Sequence, residues 1–300
     1  MIKSYSWRAK EDLAHVENVS SCCDYAQLAG MLLLSGKVTY EKIRFVTENQ
    51  SVAECFTQLV NQCFSAECIQ QKENTYYTAE ITDKHCIEQI IQQFGLRDAE
   101  TGLLQYRISS RLLSASCCRS ALLRGVFLGG GTVIDPQKNY NLEIITPYYR
   151  LSQELFSFLN ACGFSCKIVT RKSKYVIYIK NSDIIGDVLA FIGAHRAQME
   201  LLNIKIEKEV RNDLNRTVNS ETANLEKTIS ASVVQIHAIE KIQQEYGLDN
   251  LEDDLKETAL VRLENRNLSL GELGKLFHPP LTKSGVNHRL RRLVKFAEEL

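Results

Sequence analysis

Nothing in the 300-residue sequence approaches a membrane span; the longest apolar stretch, Leu28 to Leu34, falls far short of the ~20 residues a bilayer requires. Met1 through Arg8 contain no apolar run of signal-peptide length. Ten cysteines are too sparse for a secreted disulfide scaffold, and no C-x-x-C pair suggests a structural zinc site. Neither sign of charge dominates, with 36 basic against 36 acidic residues. These absences predict a soluble, thiol-reduced, cytoplasmic protein. What is present is a hydrophobic content of 44%, enough for real cores and too much for disorder, in a chain long enough for two or three domains.

Neutrality hides polarity. The last 46 residues hold nine Lys/Arg and five Asp/Glu, and between 283 and 295 there are five basic residues and no acidic one. Nucleic-acid binding depends on where charge sits, not on its total.

An internal repeat organises the first two thirds. Residues 22–38, CCDYAQLAGMLLLSGKV, match residues 117–133, CCRSALLRGVFLGGGTV, at eight of 17 positions with a constant offset of 95. After the first copy come β-like runs at 37–40 and 43–47, a helical segment at 52–64, strand-like 67–71 and 75–81, and helical 85–94. After the second come 132–134, 140–146, helical 153–162, 165–170, 175–180 and helical 184–192. Each unit therefore reads helix, two strands, helix, two strands, helix, and together they form the two halves of one pseudo-symmetric α+β domain. Gly30 and Gly125 fall inside the apolar helical runs, where glycine costs roughly 1 kcal/mol against alanine. Close approach of two backbones is the compensation expected.

Leu28-Ala29-Gly30-Met31-Leu32-Leu33-Leu34-Ser35-Gly36 and Leu123-Arg124-Gly125-Val126-Phe127-Leu128-Gly129-Gly130-Gly131 resemble the LAGLIDADG helix of homing endonucleases. The whole chain resembles one branch more closely, the WhiA transcriptional regulators of Gram-positive bacteria, through Cys117–Asp135, Asn215–Leu225 and Leu268–Leu293. The resemblance implies a degenerate LAGLIDADG domain of two αββαββα halves joined to an all-α helix-turn-helix domain. It also implies a role in cell-division and sporulation genes. The expected divisions are 1–213 for the first domain (halves about 20–95 and 115–193), 214–248 for a helical linker and 249–300 for the helix-turn-helix.

In the nuclease family, acids near the end of each helix hold divalent metal, which activates water and stabilises the leaving oxygen. Here Leu33, Ser35, Leu128 and Gly130 stand at those places. Asp135, four residues past the second motif, reads as a turn residue. No catalytic residue, metal or cofactor is expected. The doublets Cys22-Cys23 and Cys117-Cys118 invite a four-thiolate reading, but adjacent cysteines rarely point the same way and zinc sites favour two to four intervening residues. A packed, reduced pair at each helix start is the expectation.

Residues 253–264 read as an amphipathic helix with Leu255, Ala259, Leu260 and Leu263 inward. Ser269-Leu270-Gly271-Glu272 is a capping box opening a second helix with Leu270, Leu273, Leu276 and Phe277 on its apolar face, and Pro279-Pro280 stops it. Thr282 or Ser284 caps a third helix running to about Glu299. On a helical wheel Val286, Leu290, Leu293 and Ala297 form its core side. Ser284, Asn287, His288 and Arg291 are the base-contact candidates and Arg289, Arg292 and Lys295 the phosphate candidates. Lys283 and, in the linker, Arg216 complete the DNA-binding set. The linker's Asn215, Asn219, Asn224 and Lys227 fit either phosphate contact or capping of the first domain.

Double-stranded DNA is the expected partner, with transcription machinery or another regulator as a second candidate; no membrane or small-molecule substrate is expected, and localisation is cytoplasmic and nucleoid-associated. Two rival readings are a metal-dependent site-specific endonuclease and a LAGLIDADG half turned protein-docking platform.

Overall fold

The computed structural model describes residues 3–113 and 115–300, which divide after residue 208 into two compact units. The first is α+β. Helix α1 (Tyr5–Ala14) precedes a half built of α2 (Ser21–Ser35), β1 (Gly36–Val38), β2 (Ile43–Thr47), α3 (Gln50–Phe64), β3 (Ile69–Glu73), β4 (Tyr76–Ile81) and α4 (Lys84–Phe94). The second half repeats the order with α5 (Ser116–Gly130), β5 (Gly131–Val133), β6 (Leu142–Thr146), α6 (Tyr149–Ala161), β7 (Lys167–Arg171), β8 (Lys174–Ile179) and α7 (Ser182–Ile192).

Each half carries a four-stranded antiparallel sheet, ordered β1-β2-β4-β3 and β5-β6-β8-β7. Alternation sets the faces: Ile43, Phe45, Ala79 and Ile81 point into the core from the first sheet, and Leu142, Ile144, Ile177 and Ile179 from the second. The β7–β8 hairpin turns through Lys172 and Ser173, both at positive φ, the backbone that lets a two-residue turn follow the strands' twist. The connection between halves is stitched by Tyr106, whose hydroxyl accepts from the Val38 amide at 2.9 Å and whose ring stacks on Tyr148 at 4.2 Å.

Helices α2 and α5 are apolar on nearly every side, so both are buried, paired against each other at the pseudo-twofold. Their glycines make the pairing tight. A Cβ on Gly30 would overlap the Leu122 carbonyl oxygen and lie 2.6 Å from the Val126 nitrogen; one on Gly125 would overlap the Gln27 carbonyl oxygen. Close backbone approach is thus what these glycines permit.

Helix α1 leaves little trace in the sequence, since its Tyr5, Ala9 and Leu13 give only a one-residue-wide stripe to the core. A buried polar network is equally hidden there. Arg124, seven per cent exposed, donates to the Ile192 carbonyl (2.7 Å), the Asn18 Oδ1 (2.9 Å) and the Gln27 Oε1 (3.2 Å). Its counterpart in the first copy is Ala29, so the network breaks the pseudo-symmetry.

The second unit is all-helical. Helix α8 runs unbroken from His195 to Glu245, beginning well before the 214 expected of the helical linker, and its residues from 209 onward belong to this unit. Helices α9 (Asp253–Glu264), α10 (Leu270–Gly274) and α11 (Lys283–Glu299) follow. Ile239 and Ile242 of α8 are fully buried with Leu255, Ala259, Leu273, Phe277, Val286, Leu290, Leu293 and Ala297. The end of the supposed linker is therefore a wall of the helical module. Leu225 and Ile229, on the same spacing, stay exposed. Leu260 and Leu276, expected inward, are 43% and 44% exposed, while Thr258 and Arg262 are buried in their stead. Arg262 donates to the Leu268 carbonyl at 2.7 Å, and burial lowers its pKa.

Candidate nucleic-acid interface

Helix α11 is presented by its neighbours. The capping box at α10 forms as its sequence requires: the Ser269 hydroxyl accepts from the Glu272 amide, and the Glu272 carboxylate accepts from the Ser269 amide at 2.9 Å. Hydrogen bonding of the carboxylate to the Ser269 hydroxyl and amide holds the Glu272 carboxyl below its ordinary pKa. The turn into α11 is tied by the Leu281 amide donating to the Gly274 carbonyl at 2.8 Å, and a Cβ at 274 would overlap the Leu281 carbonyl oxygen. Gly274 is therefore the tight-turn glycine, hidden in the sequence as the last residue of a helix. Of the two candidate caps, Thr282 is the one used, its hydroxyl accepting from the Gly285 amide at 3.2 Å.

Val286, Leu290, Leu293 and Ala297 are buried, so the register of α11 follows its apolar stripe. Lys283, Ser284, His288 and Arg291 are exposed and Asn287 half-buried, all on the helix's N-terminal two thirds. The phosphate candidates divide differently. Arg289 lies 3.6 Å from both the Asp254 and Glu257 carboxylates, with its guanidinium over the Phe277 ring. Arg292 pairs with Glu252 at 2.6 Å and Asp254 at 3.5 Å, and the first of these raises its pKa. Both arginines, expected as phosphate candidates, brace α11 against the start of α9. Lys295 is exposed and 3.7 Å from Glu299. Arg216 is exposed on α8 beside Asp213 at 3.6 Å.

In the first unit, both sheets carry exposed basic side chains, Lys37 and Lys72 among them on the first. Arg44 is held by Glu73 and Glu80, and Lys42 by Glu80. On the second sheet Arg171 pairs with Glu143, while Lys167, Lys172 and Lys174 are exposed, with no carboxylate in salt-bridge range among the described residues.

At the ends of the axial helices two of the four acid positions are buried, and Ser35 and Gly130 are half-buried. Leu33 and Leu128 are 3% and 1% exposed, and the Ser35 hydroxyl donates to the Gly129 carbonyl across the helix pair. A Cβ at Gly130 would meet the Leu34 Cβ at 2.9 Å. Asp135 accepts from the Gln137 amide at 2.9 Å, the turn its sequence suggested. The cysteine doublets depart from expectation. Cys23 and Cys118 are buried and Cys22 and Cys117 exposed, yet all four Sγ atoms lie within 4.8 Å of one another.

Comparison with known proteins covers both units. Residues 25–111 and 119–211 match the family model of the WhiA LAGLIDADG-like domain, and residues 214–297 that of the WhiA C-terminal HTH domain. The chain is 39% identical to the probable cell division protein WhiA of Alkaliphilus metalliredigens over 98% of both chains. It is 38% identical to the namesake in Clostridium novyi over 99% of this chain and 98% of that one. Full-length WhiA from Thermotoga maritima, 28% identical, superposes with a TM-score of 0.62 over 99% of each chain.

Proposed function

The chain belongs to the WhiA family, and from that premise we propose that it is a sequence-specific DNA-binding regulator of transcription, acting on cell-division and sporulation genes and cutting no DNA. The observation that carries this reading is the row of exposed Ser284, His288 and Arg291 with half-buried Asn287 among them, on a helix braced from behind by its own arginines. A recognition helix needs a fixed register and free side chains toward its N-terminus. Asn can pair with adenine and Arg with guanine in the major groove, each contact worth roughly 1–3 kcal/mol of discrimination.

Lys295, near the helix's C-terminal end, is assigned to phosphate, as are Lys283 and Arg216. Arg289 and Arg292 act by positioning the helix. The unpaired lysines of the second sheet favour DNA, rather than a protein partner, as what the first unit lies on. Nucleoid association follows from that partner. Hydrophobic side chains at positions 33 and 128 offer no oxygen to a hard cation, which supports a binder over a metal-dependent nuclease.

The experiment is competition binding of the full chain to a genomic fragment it enriches in cells, against scrambled DNA. Asn287→Ala and Arg291→Ala should lower specific affinity and spare most non-specific binding. Lys295→Ala should weaken both alike and reduce the salt slope by about one. Equal losses on both DNAs for Arg291→Ala and Lys295→Ala would make α11 an electrostatic anchor. Replacing Lys167, Lys172 and Lys174 together by Ala should flatten the salt dependence; an unchanged slope assigns the first unit to protein partners. With Mg²⁺ or Mn²⁺ the bound DNA should stay intact, and metal-dependent nicking that a substitution in α2 or α5 abolishes would overturn the binder reading.

A further inference from the structure

The regulator reading leaves the four thiols at the start of the axial helices without a role. Within one copy of the repeat, two adjacent cysteines point about 100° apart on the helix and supply at most half of a coordination sphere. Duplication changes the geometry. Cys22 and Cys117 are related by the pseudo-twofold, as are Cys23 and Cys118, so each copy supplies one inward and one outward thiol. The close crossing of α2 and α5 brings the two doublets together, with every Sγ within 4.8 Å of the other three. Among the described residues this is the one group of three or more His, Cys, Asp or Glu so gathered.

We propose that Cys22, Cys23, Cys117 and Cys118 form a tetrathiolate site for a single zinc ion, a clasp joining the N-terminal ends of the two axial helices. A tetrahedral ion with Zn–S bonds of about 2.3 Å sets its sulfurs about 3.8 Å apart. The observed spread closes to that with sulfur shifts on the order of 1 Å, within what rotation about the Cys side-chain bonds provides.

Chemistry and surroundings agree. Thiolate is a soft ligand, which excludes magnesium and calcium. Gathering this tight leaves room for one ion, whereas an iron–sulfur cluster spreads its cysteines over several irons. Four protein ligands fill the coordination sphere, so the ion is structural, not catalytic. The site sits at the opposite end of the helices from Leu33 and Leu128, about 15 Å along the axis, and is independent of the nuclease metal positions.

Exposed Cys22 and Cys117 supply an entry path. The Ser20 hydroxyl lies 3.0 Å from the Cys22 sulfur and 3.4 Å from the Cys23 sulfur, placed to donate to a thiolate as an outer-shell partner. The positive ends of two helix dipoles face the doubly negative ZnS₄ centre. Binding exchanges four S–H bonds for four Zn–S bonds and releases four protons to solvent. No electron moves, so the step needs no oxidant.

The test uses the full chain, purified in reductant under argon, stripped with a chelator and titrated with Co²⁺ and then Zn²⁺. One Co²⁺ per chain should bind with thiolate-to-metal charge-transfer absorption and the d–d bands of a tetrahedral ion, and Zn²⁺ should displace it. The thermal midpoint should rise with metal and fall back with chelator. Cys22→Ser with Cys117→Ser, both exposed positions, should abolish the thiolate bands, and Ser20→Ala should weaken metal binding by roughly tenfold. Cys162→Ser with Cys166→Ser should change nothing. If the double variant does not fold, Cys22→Ser alone carries the same expectation of weakened affinity and altered spectrum. Absent cobalt–thiolate bands in the native chain, unchanged metal binding in Cys22→Ser, or a stable disulfide among these four as the only species recovered under reductant would each overturn the proposal.

Discussion

Gly125→Ala adds one methyl group where two helices touch backbone to backbone. Its Cβ would overlap the Gln27 carbonyl oxygen and lie 2.8 Å from the carbonyl carbon, against the 3.4 Å at which ordinary contact begins. The obstacle is main chain, so relief requires α2 and α5 to part by more than half an ångström. A radial gap of about 0.5–1 Å forfeits roughly a quarter to a half of each dispersion contact it opens, and the whole apolar faces of both helices feel it. Overpacking of this kind costs about 1–3 kcal/mol; a backbone clash belongs at the upper end. Replacing glycine within a helix returns about 1 kcal/mol. The net loss of about 2 kcal/mol corresponds to a drop of roughly 4–8 °C for a domain of this size.

Gly186→Ala is the matched control. It lies inside α7, and its Cβ would meet only the Leu201 Cδ2 at 3.9 Å. Both substitutions restrict the unfolded chain equally, so the difference between them reports the native contact. Gly186→Ala should raise the midpoint by a few degrees. Scanning calorimetry of the three proteins decides the matter: a Gly125→Ala midpoint at or above wild type would refute the close-packed axis.

Alkali should unfold the first unit under reducing conditions. Burial pushes the Cys55 and Cys86 thiols up to about 11, so both states are protonated below pH 9 and stability is complete there. Above pH 9 the unfolded thiols ionise first, and each buried thiol then removes up to about 1.4 kcal/mol per pH unit until pH 11. Guanidinium midpoints from pH 8 to 10 should fall less in Cys55→Ala with Cys86→Ala than in wild type; parallel slopes would refute the assignment. Arg289→Gln should destabilise the helical module by about 1 kcal/mol through its two carboxylates and the Phe277 ring, and Arg291→Gln by nothing measurable in urea. Ser269→Ala should cost about 1 kcal/mol by uncapping α10, which the same melts would detect.

The repeat was legible because duplication writes the same chemistry twice, and the offset of 95 locates both axial helices and all eight strands to within a few residues. The core stripe of α11 was legible because its period alone sets the register. Partners were not. The spacing of Leu225 and Ile229 matches that of Ile239, yet only the last is covered, since periodicity marks a face and says nothing of what lies against it. Arg289 and Arg292 read as phosphate candidates from the sequence, which does not reveal the carboxylates of α9 beside them, nor the Leu268 carbonyl that Arg262 meets. The gathering of the four cysteines was not legible because a spacing rule looks within one copy, whereas the sulfurs converge between copies.

The sealed ends of the axial helices act as a ratchet. An acid at position 33 or 128 would enter a site only 3% or 1% exposed, where burial raises its pKa and keeps it neutral, useless to a divalent cation and costly to the fold. At position 130 any side chain must first displace Leu34. Each step toward an oxygen-ligand site thus lowers a stability of about 5–15 kcal/mol before it confers any chemistry. At these three positions no single substitution crosses that valley, so packing itself opposes a return to metal-binding helices there.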